Sequence, residues 1–224
     1  MQFQQSFSDY YNTNDYVNKT ENETISGNGN YYIHDAVFSY HYQKTAISLN
    51  SSSKVLLEMC AFYNNNSTEK GGSIFIKESN CVLVHICFSN SSSNEDGCAY
   101  YIKNSIFDPE KSYAIECSVS KCSGKQSAFV YWEGDIQISN MNTSYNIITT
   151  NAAYSISSIT NTIILNFTTV SNCSSSEIGV VNVGPMTRNV TNCNYIEDSS
   201  LRNPKKSYAF ECSVSKCIGR YPNK

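Results

Sequence analysis

Short β-forming runs headed by small residues recur along this chain at a nearly constant interval. They begin as TAISLN at 45, GGSIFI at 71, GCAYYI at 97, SAFVYW at 127, AAYSIS at 152 and GVVNVG at 179, so that successive starts advance by 26, 26, 30, 25 and 27. A second mark keeps phase with the first. An apolar residue with a polar one two places on (Phe62 with Asn64, Phe88 with Asn90, Val119 with Lys121, Val170 with Asn172) precedes the small pair by 9, 9, 8 and 9 places. The run at Ala152 fits least well, offering only Met141 or Tyr145 as its anchor. A longer echo lies on top: SYAIECSVSKCSG from Ser112 returns as SYAFECSVSKCIG from Ser207, an offset too long for one structural unit.

Units of this length, with Ser/Asn turns and no helical apolar stripe, predict an all-β solenoid of parallel strands with coils of about 25 to about 30 residues. Equivalent residues of successive coils then stack about 4.8 Å apart. The small pairs let the backbone turn sharply. Asn64, Asn90 and Asn172 form a structural column, because Asn tolerates the left-handed conformation and stacked amides hydrogen-bond from coil to coil. The competing arrangement is a β-sandwich of evenly spaced hairpins, disfavoured because Asn28-Gly29 is the only Asn-Gly turn signal. Residues 1–44 read as a polar irregular segment or one degenerate coil, and 45–224 as the repeat region.

Two stretches, FYNNNSTEKGGSIFI (62–76) and FSNSSSNEDGCAYYI (88–102), resemble the FxxN and GGA[I/L/V] repeats of polymorphic outer membrane protein-like sequences. Phe62 to Asn65 matches the first motif as written, and Gly71-Gly72-Ser73-Ile74 matches the second with Ser in place of Ala. The resemblance implies a right-handed parallel β-helix (pectin lyase-like fold) with a surface or adhesin-like role, as on bacterial and protist surfaces. It implies no catalytic residue. The second phrase, from Ser207, ought to lead into a strand like SAFVYW, yet the sequence closes at GRYPNK. The expectation is a piece of a longer repeat protein whose open end invites self-association.

Composition narrows the function classes. A formal charge of -3 leaves no basic excess for phosphates, so nucleic acid is not an expected partner. No apolar run approaches a transmembrane span, and the opening of the sequence lacks the pattern of a secretory signal. Ten Asn-x-Ser/Thr sequons favour export only weakly, because about six would arise by chance in a chain this rich in Asn, Ser and Thr. The compartment stays open between cell surface and cytoplasm.

The ten cysteines include two Cys-x4-Cys pairs, Cys117/Cys122 and Cys212/Cys217. Residues five apart in a strand face opposite sides, which argues against metal. Cys60 aligns with Cys117 and Cys122 with Cys173, positions that could bridge if their coils were neighbours, but the repeat puts one coil between the members of the second pair, so buried free thiols are expected over disulfides. His34, His41 and His85 are too scattered for a catalytic constellation. Among the carboxylates, Glu133 and Asp135 come closest to the pair that a pectate-lyase-like polysaccharide enzyme needs, and a solvated turn explains them. No catalytic residue, metal site or cofactor is therefore expected.

One stripe suggests binding of glycan or protein. The fifth positions of GGSIFI, GCAYYI and SAFVYW are Phe75, Tyr101 and Tyr131. Alternation sets them opposite the fourth and sixth positions, so they face either outward as an aromatic ladder or inward as stacked core rings.

Overall fold

The computed structural model describes residues 5–50, 52–104, 111–150, 154–157 and 163–175, and beyond these the strands at 181–183, 188–191, 194–196, 208–210 and 213–215. The chain is a parallel β-solenoid. Among the described residues its strands form four sheets of nine, eight, six and seven members, here called faces I to IV in the order the chain visits them. One coil runs through Lys54–Glu58 on face I, Ala61–Tyr63 on face II, Asn66–Ser67 on face III and Ile74–Lys77 on face IV. Each strand pairs in parallel with its equivalent one coil on. On face IV the register runs Ile47, Ile74, Tyr100, Phe129, Tyr154, Val181, advancing by 27, 26, 29, 25 and 27.

Alternation along each short strand sends one set of side chains to the core. On face II a single central residue points in, and Phe38, Phe62 and Phe88 stack there with centroids 4.8 and 5.0 Å apart. Val119, Thr143 and Val170 continue the column. Thr143, rather than Met141 or Tyr145, is thus the anchor of the unit that fitted worst in sequence: it is buried in the apolar column, and its hydroxyl hides the pattern. A second ladder, Tyr100, Phe129 and Tyr154, rises on face IV with centroids 5.1 Å apart at each step.

The corners on either side of face II are built by single left-handed residues. Asp35, Met59, His85, Glu116, Asn140 and Phe167 turn the chain from face I, and Tyr40, Asn64, Asn90, Lys121, Tyr145 and Asn172 turn it into face III, all with φ between 50° and 60°. Such a residue breaks strand alternation, so the residue after it points inward. This is why Cys117 and Cys122 are both buried although five apart, a correction to the expectation that they face opposite ways. The thiols serve the corners. Cys60, Cys117, Cys122 and Cys173 each donate to the carbonyl two positions back, at 3.2 to 3.4 Å. All seven cysteines among the described residues are free, and only Cys87 is exposed; Cys193, Cys212 and Cys217 lie outside them.

After face III the small residues do what a side chain would prevent. Gly71 and Gly97 both have φ +70°, and a Cβ on Gly71 would lie 2.0 Å from the Ile74 carbonyl oxygen. At Gly72 it would lie 2.0 Å from that of Cys98, one coil on.

The long echo spans four turns of the solenoid. Tyr113 pairs with Gln137, Gln137 with Ile164, Ile164 with Asn189 and Asn189 with Tyr208, the last step being the shortest. Ser213–Ser215 occupies the face II column of Ser118–Ser120. The chain after Ser215, including the expected closing strand, lies outside the described residues.

Solenoid pairing extends back to Val17–Lys19, which pairs with Tyr31–Ile33 on face I. On face II the edge of the first strand is closed by a side chain. The Ser39 N–H donates to Asn22 Oδ1 at 3.2 Å, and Asn22 Nδ2 donates to the Ser39 carbonyl at 3.3 Å. Before Val17 a short helix, Phe7–Tyr11, lies on the outer surface of face I and buries Phe7, Tyr10 and Tyr11 against Leu56 and Val82. No helix among the described residues is long and apolar enough to cross a membrane.

Candidate ligand-binding trough

The corner between faces II and III carries the most exposed aromatic residues of the described chain together with a concave polar surface. Two columns of side chains line it, set on either side of the inward-pointing residue that follows each left-handed turn. One column is the turn residue itself: Tyr40, Asn64, Asn90, Lys121, Tyr145. The other is the first residue of each face III strand: Tyr42, Asn66, Ser92, Ser123, Ile147.

Tyr40 and Tyr42 stand at one end, 56% and 63% exposed, with ring centroids 6.3 Å apart. Tyr40 is braced edge-on by Tyr63 at 5.5 Å. From them a trough of about 260 Å³ runs over Asn64, Asn66, Asn90, Ser92 and Ser123. The floor is tied together along the axis: Asn90 Nδ2 donates to Asn64 Oδ1 at 2.6 Å. Asn172 shares the left-handed turn position, with φ 52°, but Lys121 and Tyr145 stand between it and Asn90. The column predicted from sequence is therefore one amide step at 64 and 90 with a third Asn further along.

A different pair of asparagines holds the trough from beneath. Asn65 follows the turn residue and is fully buried. Its Oδ1 accepts the His41 N–H at 3.0 Å, and its Nδ2 donates to the Phe38 carbonyl at 3.2 Å and to Ser73 Oγ at 3.1 Å. Asn146 repeats the bonds three coils on, accepting the Cys122 N–H at 2.8 Å and donating to the Val119 carbonyl at 3.1 Å. The left-handed turn takes these backbone groups out of the sheet ladder, and a buried amide replaces the lost partners. This is the physical content of the Asn in FxxN. Spacing after Phe62 marked Asn65, but nothing in Thr143-Ser-Tyr-Asn146 announced its twin. At the Tyr40 end, burial lowers the pKa of His41, whose ring meets Asn22 Oδ1 at 2.7 Å.

The aromatic stripe read from sequence divides in the structure. Phe75 and Tyr101 are register partners on the outer side of face IV, stacked at 5.6 Å. Tyr101 is only 4% exposed, covered by Lys70, whose Nζ lies 4.8 Å from its ring centre and 3.6 Å from Asp96 Oδ2. Trp132 meets Tyr101 edge-on at 5.6 Å. Tyr131 belongs to a different column. It pairs with Ile102 and Ile156, points into the core with no exposed surface, and donates its hydroxyl to the Tyr113 carbonyl at 3.3 Å. The cause is a one-residue shift: Cys98 and Ala99 are hydrogen-bonded to Ser127 and Ala128, so the counterpart of Gly97 is Gln126. A shift of one reverses every side chain of a strand.

The carboxylates do not converge. Asp96 is buried beside Lys70, Asp135 accepts the Tyr113 hydroxyl at 2.8 Å, and Glu133 sits in a left-handed turn. Asp108 and Glu110 lie outside the described residues. His34 and His85 contact Asp35 and Glu116 separately, and no group of three or more metal-ligating side chains exists among the described residues.

No family model matches this sequence, and neither the curated proteins nor the solved structures contain a significant match to it.

Proposed function

We propose that this chain is a non-enzymatic, adhesin-like surface module that binds glycan in the trough between faces II and III. The observation that carries the reading is the pairing of Tyr40 and Tyr42, each more than half exposed, with a floor of amides and hydroxyls. Sugars present apolar C–H faces and polar hydroxyl edges, and an exposed tyrosine ring beside Asn and Ser offers a surface for each. The parallel β-solenoid supports a surface role through the resemblance of its FxxN and GGSI stretches to polymorphic outer membrane protein-like repeats, right-handed β-helices in that family. Neither of the two trough columns contains a carboxylate, which suits retention rather than cleavage.

A glycan array probed with the intact chain and with Tyr42→Ala tests this. The parent should retain a defined set of glycans, and the variant, whose altered side chain is mostly solvated, should lose about tenfold in affinity. Retention of protein partners in place of any glycan, or release of reducing ends from a bound polysaccharide, would overturn it.

A further inference from the structure

Resting on the glycan reading above, we propose that the ligand is a linear, uncharged polysaccharide lying along the solenoid axis, held between two aromatic-apolar platforms four coils apart. The first platform is Tyr40 with Tyr42. The second is Tyr145 with Ile147, 58% and 64% exposed, which occupy the same two columns. These are the places on this corner where large apolar side chains stand out, and the coils between them carry Asn, Ser and one Lys.

The distance suits an extended sugar chain. Core rings of successive coils stack with centroids 4.8 to 5.1 Å apart, so four coils separate the platforms by about 19 Å at the usual strand spacing. One coil rise is close to the length of one pyranose unit in an extended chain, which lets each unit meet an equivalent position. Alongside runs a column bearing a hydroxyl in every coil from Ser39 through Tyr63, Ser89, Ser120 and Ser144 to Ser171. Amides and hydroxyls both donate and accept, as sugar hydroxyls do. The charge pattern selects the class: Lys121 is the single ionic side chain in the two columns, too little to hold a polyanion and the wrong sign for a polycation.

Calorimetry with cello-, xylo- and chito-oligosaccharides of about two to about six units tests the span against the coil spacing. Affinity should rise with length to about four or five units and then level off, and Tyr145→Ala should remove about tenfold for the longest chains while leaving the shortest unchanged. Oligogalacturonates of equal length should bind no more tightly. A plateau at two units, or a Tyr145→Ala variant that binds the longest chain like the parent, overturns the axial span; if Tyr42→Ala still loses about tenfold in affinity, the trough reading stands. Failure of every neutral oligosaccharide and of the array sinks both.

Discussion

At the scale of single residues, two adjacent asparagines with the same chemistry have opposite roles. Asn64 lends its backbone to a left-handed turn and its exposed-side amide to Asn90. Asn65 lends its side chain to backbone groups that would otherwise be buried and unpaired. Replacing Asn64 with Gly preserves the turn and removes one solvated hydrogen bond, so stability should change by about 0.5 kcal/mol or less. Replacing Asn65 with Ala strands the His41 N–H, the Phe38 carbonyl and one partner of Ser73, and should cost about 2 kcal/mol or more. Asn65→Asp is expected to be no better, since a carboxylate accepts from His41 but cannot donate to Phe38. Urea unfolding midpoints of the three variants measure this; equal losses at 64 and 65 would contradict the division of roles.

At the scale of elements, the helix Phe7–Tyr11 shows how a segment too short to be stable alone is held. Ser6 and Asp9 form a reciprocal capping box, with the Ser6 N–H donating to Asp9 Oδ2 at 2.7 Å. Tyr11 donates its hydroxyl to the Val55 carbonyl at 2.7 Å, and Lys54 Nζ returns to the Tyr11 carbonyl at 3.3 Å. The segment thus covers the apolar outer side of face I, where Leu56 and Val82 would otherwise meet water. Tyr11→Ala should cost about 3 kcal/mol and raise binding of a hydrophobic dye, while far-UV dichroism keeps its β signature. A dye response equal to the parent's would show that the helix does not shield this face. None of this was legible beforehand, because FSDYY carries no periodicity long enough to read. The strands were legible, since their period survives in Phe62, Phe88, Val119 and Val170. The corner leaving face I was not: Asp35, Met59, His85, Glu116, Asn140 and Phe167 share no chemistry, since the path of the solenoid and not local propensity imposes their backbone, whereas the turn into face III was legible where Asn64, Asn90 and Asn172 hold it. The trough escaped for a related reason, its lining residues Tyr42, Asn66, Ser92 and Ser123 being remote in sequence and brought side by side only by the register of successive coils.

At the scale of the whole molecule, the core and the covered outer sides of faces I and IV hold many weakly acidic groups where burial disfavours ionisation. Burial pushes the Cys60 thiol up to about 11 and that of Cys117 to about 12 from an ordinary value of 9.0. Burial likewise raises the phenols of Tyr100 and Tyr131 well above 10.0, and that of Tyr101, with Asp96 adding repulsion, to about 12. Tyr32 and Tyr113 are raised by burial first and then by donating to Glu58 and Asp135. A raised folded-state pKa means that the unfolded chain releases its proton first. The stability tied to each group is therefore complete below its unfolded value and is lost as pH climbs toward its folded value. Each fully buried group among them, such as Cys117, Tyr100 and Tyr131, removes up to about 1.4 kcal/mol per pH unit within its window, and the partly buried Tyr32 and Tyr113 less, because solvent screens them. The thiol windows open near pH 9 and the phenol windows near pH 10, so the losses overlap. Stability should be nearly flat through neutrality on account of these groups, begin to fall at about pH 9 and fall steeply beyond 10. Urea midpoints measured from pH 7 to 12, with tyrosinate absorbance followed in parallel, test this. The expected result is phenol ionisation coinciding with loss of β dichroism. Smooth titration of the Tyr100 and Tyr131 phenols while the fold persists would mean that these two rings do not share one closed core.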